Sequence, residues 1–142
     1  KPAFRNVSVR IEHDYLRKAF YELFINALKF SKPTSVVMVF LDIRPTGLEI
    51  SVLNTPESIK EGVVGIPLEY ENLVFEPFFR MAKIVFEEFE TMDYGLGLTL
   101  VEKIVKKHGG KVSISNIFDS SNIEKGTEIK VCASVFLPLS GN

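Results

Sequence analysis

Three residues on one predicted helix have the types and spacing to act together. Glu22, Asn26 and Lys29 stand at i, i+4 and i+7. At about 100° per residue they fall within an arc of roughly 60°, beside the apolar stripe rather than on it. An amide oxygen can ligate Mg2+, an ammonium can meet a phosphate, and a carboxylate can orient a nucleophile or a metal-bound water. The stripe suits a site for a nucleotide and its metal. It equally describes a solvated helix face with an ordinary Glu and Lys. A second place is Gly95-Leu96-Gly97-Leu98, which opens a helix after a long loop. Glycines let backbone N–H groups approach phosphate oxygens, and a helix N-terminus favours negative charge. Glycines also precede helices for purely steric reasons, so this signal is weak alone.

The elements that must position these groups follow from hydrophobic period. Val7, Val9 and Ile11 alternate and predict a short first strand. Between Asp14 and Ser31, Leu16, Ala19, Phe20, Leu23, Ala27 and Leu28 recur at helical spacing, with Asp14 as N-cap and Pro33 beyond the end. Ser35 to Ile43 and Leu48 to Asn54, joined by Arg44-Pro45-Thr46-Gly47, read as a hairpin. Residues 55 to 67 read as loop, and Glu69 to Phe75 as a short helix. A second clear helix spans Gly97 to His108, ended by Gly109-Gly110. Two strands near Lys111 to Ile117 and Thr127 to Leu137 complete the chain. The pattern predicts an α+β sandwich, a mixed sheet with helices on one face, in a single domain over residues 1–142.

Composition closes off other classes. Lys plus Arg is 17 against 18 Asp plus Glu, so the basic excess of a nucleic-acid binder is absent. The single Cys132 cannot form an internal disulfide, and its alternating apolar surroundings predict a buried inert thiol. No apolar stretch reaches the roughly 20 residues that span a bilayer, and no signal peptide opens the chain. The expectation is a cytoplasmic fragment without membrane contact, whatever anchors its parent.

Taken in order, the motifs resemble one family. ELFINALKFS (22–31) is similar to the N-box of histidine-kinase catalytic domains, and LVFEPFFR (73–80) to their F-box. YGLGLTLVEKIVKKHGGKVSI (94–114) resembles their second glycine box, KGTEIKV (125–131) the third, and VLN (52–54) the start of the first. The resemblance covers Val7 to Leu137 and identifies the GHKL superfamily, with the gyrase, Hsp90 and MutL ATPases. It implies the two-layer Bergerat sandwich.

The resemblance implies ATP and Mg2+ as cofactors. It makes Asn26 the Mg2+ ligand, with Glu22 positioning the metal and the acceptor. Lys29 would reach the phosphates, Phe30 would pack near the nucleotide, and Arg80 would approach the γ-phosphate. Asn54 falls where the family reads the adenine amino group. Gly95, Leu96, Gly97 and Leu98 would rim the lid over the phosphates, and Gly65 and Thr127 would lie by the base. Phe75, Phe78 and Phe79 read mostly as core. The implied partners are a histidine-bearing dimerisation domain of the parent kinase, expected to be absent from this fragment, and a downstream response regulator.

Three features depart from the family pattern. The first glycine box usually reads Asp-x-Gly-x-Gly before Ile-Pro, whereas here Asn54 is followed by TPESIKEGVV and only then Gly65-Ile66-Pro67. Asp93 takes the place of a further lid glycine, and Glu87, Glu88 and Glu90 make the lid acidic. Residues 81 to 93 are expected to form a mobile lid. His13 and His108 read as structural, His108 suiting the negative end of its helix dipole. The leading expectation is a histidine-kinase phosphotransferase domain. A degenerate nucleotide fold serving as an interaction module competes with it, and an ATP-hydrolysing enzyme of another branch is disfavoured by FEPFFR.

Overall fold

Leu16, Ala19, Leu23 and Ala27 form one buried stripe along helix α1, His13–Lys29. In the computed structural model, which describes residues 7–58, 64–76, 97–124 and 126–140, that stripe covers an antiparallel sheet. The strands are β1 (Met38–Ile43), β2 (Gly47–Asn54), β3 (Lys111–Asp119) and β4 (Glu128–Pro138), in the order β1-β2-β4-β3. Helix α2, Gly97–Lys107, lies beside α1 and buries Thr99, Val101, Ile104 and Val105.

Alternation decides which sheet face meets the helices. On β4, Ala133, Val135 and Leu137 are buried, and their register partners Ile114 and Val52 point the same way. They join Leu16, Leu23, Val101, Ile104 and Val105 in one core. Burying such side chains stabilises by about 1.5–3 kcal/mol each, so this interface dominates the fold. On the opposite face Ser51 and Ser134 bond through their hydroxyls at 2.8 Å, and Cys132 is half-buried with Sγ 3.5 Å from Ser134 Oγ.

The expected two-layer α/β sandwich with helices on one face is the observed architecture, but the sheet differs. Among the described residues every strand pairing is antiparallel, where a mixed sheet was expected. The strand expected at Val7 to Ile11 does not form among the described residues. The segment contributes one bond, Ser140 N–H to Ser8 O at 2.7 Å, and Ile11 remains exposed. The predicted strand at Ser35 begins only at Met38, because Ser35 N–H turns back to Lys32 O at 3.1 Å around Thr34, whose φ is 64°. The single short helix expected at Glu69 to Phe75 is two 3-10 turns, Leu68–Tyr70 and Leu73–Phe75. The expected lid, residues 81 to 93, lies outside the described residues.

Both helix ends of α2 and α1 meet at His108. Gly109 has φ +70°, with Gly110 N–H to Val105 O at 3.0 Å and Gly109 N–H to Lys106 O at 2.9 Å. This glycine-terminated cap satisfies the last carbonyls of α2. His108 Nδ1 lies 2.7 Å from Ile104 O and donates to it, leaving Nε2 to accept from Glu12 N–H at 2.9 Å. Glu12 is the N-cap of α1 and makes no side-chain cap bond, so the predicted cap, Asp14, sits in the first turn instead. His108 thereby satisfies the N–H of the N-cap residue and joins the two helices.

Candidate functional site

The C-terminal end of α1 is tied to the exit of β2. Lys32 N–H bonds Thr55 O at 2.8 Å, Glu57 N–H bonds Phe30 O at 2.9 Å, and Ser31 bridges Pro56. These bonds bring Asn26, Lys29 and Phe30 alongside Asn54, the last residue of β2. Asn26 and Phe30 are half-buried. Lys29 is only 8% exposed, deeper than a solvated helix face would put it. Its ammonium pairs with no carboxylate among the described residues and, with the stem buried, still reaches solvent.

Asn54 is 4% exposed, and its Nδ2 is sealed from solvent with no hydrogen-bond partner. An orphaned buried donor costs about 1–3 kcal/mol, which a ligand acceptor would recover. Because Val52 faces the helices, Asn54 two residues on faces them too. Its register partner on β4 is Val131, whose other partner is Asn116 on β3.

Asn116 holds the loop that arrives from the first glycine box. Its Oδ1 accepts from Ile66 N–H at 2.9 Å and its Nδ2 donates to Ile66 O at 2.6 Å. Gly65 turns there with φ +78°, and a β-carbon on it would run into Asn116 Oδ1. The late Gly65-Ile66 is thus fixed against the sheet despite the intervening insertion. Sequence reasoning missed Asn116. Its signal was a polar residue continuing the inward series Val112, Ile114.

At the other end of the site, Glu22 meets the start of α2. A β-carbon at Gly97 would stand 2.5 Å from Glu22 Oε2, so only glycine lets the carboxylate lie there. A carboxylate beside a helix N-terminus is electrostatically favoured. Leu98 packs on the core. Thr99, 8% exposed, donates from Oγ1 to Phe75 O at 2.8 Å, tying α2 to the 3-10 turn Leu73–Phe75. Phe75 packs against the core, as expected.

Along α1, Glu22 thus meets Gly97 at the start of α2, and the Phe30 end meets residues 55–57 just beyond Asn54. Thr127 stands apart on the surface, its Oγ1 2.9 Å from Ser120 Oγ. Arg80, Gly95, Leu96, Phe78, Phe79, Asp93 and the acidic Glu87, Glu88 and Glu90 lie outside the described residues. No group of three or more His, Cys, Asp or Glu side chains forms a metal cage among the described residues. The donors fit a Mg2+ that keeps waters and phosphate oxygens, taking an amide and a carboxylate from the protein. They fit a nucleotide as well, through the orphaned amide, the Lys29 ammonium and the glycine at a helix start. No described helix is long and apolar enough to cross a membrane.

This fold and site define a two-layer nucleotide-binding sandwich. The model of the histidine kinase-, DNA gyrase B- and HSP90-like ATPase family matches residues 11–140, and the chain belongs to that family. It is 28% identical over 116 residues to the adaptive-response sensory kinase SasA of Rippkaea orientalis, covering 81% of this chain and 27% of the relative. It is 29% identical over 102 residues to the probable sensor protein PcoS of Escherichia coli, covering 72% and 20%. The chain thus spans about a quarter of the length of the curated relatives it matches. Among solved structures it resembles a mycobacterial sensor histidine kinase, MprB, at 27% identity and TM-score 0.70, over 94% of this chain and 76% of that one. The nucleotide-free catalytic domain of histidine kinase ThkA, at 22% identity and TM-score 0.68 over 92% and 70%, shares the fold.

Proposed function

We propose that this domain binds ATP with Mg2+ and offers the γ-phosphoryl group to a histidine on a separate dimerisation domain of its parent kinase. A downstream response regulator would receive the signal. The observation that carries this reading is Asn54, sealed and unpartnered beside the helix end that bears Asn26 and the buried Lys29.

Bound Mg-ATP supplies the transferable phosphoryl group, and phosphoryl transfer asks the protein mainly for positioning and charge neutralisation. In this reading Asn54 orients the base and Asn26 gives its amide oxygen to the metal. Lys29, its stem packed against the fold, brings its ammonium to the phosphates and neutralises their charge. Glu22, held against Gly97, orients the metal-bound water or the incoming acceptor. Gly95, Leu96, Gly97 and Leu98 line the phosphate side, Arg80 meets the γ-phosphate, and Phe30 and Gly65 bound the base.

Calorimetry with ADP and an ATP analogue, with and without Mg2+, tests the binding. Asn26→Ala is expected to leave folding nearly intact while abolishing the Mg2+-linked part of the affinity. No heat and no thermal shift with either nucleotide would leave the interaction module as the better reading. Transfer itself is tested by labelling: alone with labelled ATP the domain stays unlabelled. Joined to a histidine-bearing dimerisation domain, it yields acid-labile phosphate on that partner.

A further inference from the structure

We propose that His108 is a positioning residue for the site. From the far end of the helix pair it sets the axial alignment that brings the Glu22 carboxylate to Gly97. The consequence for ligands rests on the nucleotide reading above; the alignment itself does not.

Two contacts define how the helices run. Glu12, the N-cap of α1, gives its N–H to His108 Nε2 at 2.9 Å, and Glu22 lies against Gly97 at the start of α2. The helices are therefore antiparallel, with one contact near each end. At about 1.5 Å per residue, Glu12 to Glu22 spans about 15 Å and Gly97 to His108 about 16 Å. A helix is stiff along its axis, so displacement at the His108 end arrives at the Glu22 end.

What lies between the two contacts gives no directional hold. Among the described residues no hydrogen bond or ion pair joins α1 directly to α2. Leu16, Ala19 and Leu23 on one helix and Val101, Ile104 and Val105 on the other share a single apolar core. Apolar burial is non-directional, whereas a hydrogen bond weakens steeply with misalignment. The imidazole is also aimed. Its Nδ1–H donates to Ile104 O at 2.7 Å, which turns Nε2 toward α1 as an acceptor. Helix α2 has its own tie at the opposite end, Thr99 Oγ1 to Phe75 O, so α1 is the partner that His108 places.

Amide spectra and calorimetry of the parent, His108→Ala, His108→Gln and His108→Asn test this. Gln keeps an acceptor at the reach of Nε2, while Asn keeps only a donor at the reach of Nδ1. In the nucleotide-free domain, His108→Ala should shift the Gly97 amide and Glu22 carboxylate resonances. His108→Gln should return them toward the parent, and His108→Asn should not. With ADP, His108→Ala should reduce the tightening given by Mg2+ about tenfold, as loss of an outer partner of a metal-orienting group does. Affinity without Mg2+ should stay nearly unchanged.

Gly97 and Glu22 resonances that stay in place in a folded His108→Ala variant overturn the inference. Equal recovery by Gln and Asn does so too, because His108 would then only close its own helix end. Unchanged Mg2+ tightening in His108→Ala overturns the positioning role even if the resonances move. A parent domain that binds no ADP sinks the nucleotide reading, while the resonances still decide the alignment. Where His108→Ala does not fold, the comparison of Gln with Asn decides it.

Discussion

Asn54 and Asn116 stand in one cross-strand row on the helix-facing side of the sheet, separated by Val131. One amide is sealed and unpartnered; the other is fully used, gripping both polar groups of the Ile66 peptide. The row thus pairs an unpartnered amide with one that holds the Gly65-Ile66 loop against the sheet.

Replacing Asn116 by Leu should detach Gly65-Ile66 and leave the Ile66 N–H and C=O without their partners. For this half-buried pair the expected loss of stability is about 1–3 kcal/mol. Denaturant unfolding would measure it, with a parallel drop in nucleotide affinity. An Asn116→Leu variant as stable as the parent would mean the clamp contributes nothing.

Gly97→Ala should move Glu22 rather than unfold the domain. Alanine in a helix normally gains up to about 1 kcal/mol over glycine. Here the new methyl would stand 2.5 Å from Glu22 Oε2, the free end of a flexible side chain, so Glu22 should swing away while stability changes little. Nucleotide binding should weaken with Glu22 displaced. Thermal melts and nucleotide titrations of Gly97→Ala, Glu22→Ala and the double variant form the cycle that checks this.

Asp119 predicts an acid-side loss of stability. The hydrogen bond from Lys130, then the Ser121 N–H, hold its carboxyl well below the usual carboxylate range. Because the folded-state value is depressed, the contribution is complete above the unfolded value near 4 and fades as pH falls below it. Lys130→Met should flatten that part of the stability profile and leave neutral-pH folding cooperative. Melts at pH 7 and pH 3 compare the two; equal acid sensitivity would remove Lys130 as the cause.

His108 should carry its proton on Nδ1 when neutral, since Nδ1 donates to Ile104 O and Nε2 accepts from Glu12 N–H. Nitrogen chemical shifts distinguish this tautomer from its alternative. His108→Ala should cost about 0.5–1.5 kcal/mol through the lost bond to the start of α1.

Much of this was legible in the chain because periodicity reports burial. The alternation of Ala133, Val135 and Leu137 and the stripe Leu16, Ala19, Leu23 and Ala27 mark the core directly. Val7, Val9 and Ile11 alternate as well, yet alternation shows only which side a strand would bury, not whether a neighbour awaits it. The cap of α1 was misplaced because its partner, His108, is 96 residues away from Glu12. Local rules see only local donors. The depth of Lys29 was hidden for a related reason: helical spacing gives its azimuth, while its burial depends on the crossing to residues 55–57. Glu22, Asn26 and Lys29 stand out by type and helical spacing, whereas Asn54 stands out only through motif resemblance. Asn116 carries no motif, and only its inward position betrays it.

The Thr99–Phe75 bond ties the first turn of α2 to the 3-10 turn that ends at Phe75. Each of these elements has its own apolar anchor in the core, Val101 on the helix and Val74 on the turn. Apolar contact fixes how deep each one sits but tolerates sliding, whereas a directed hydroxyl-to-carbonyl bond does not. Thr99 therefore acts as the register pin between two surfaces that packing alone would leave free to shear.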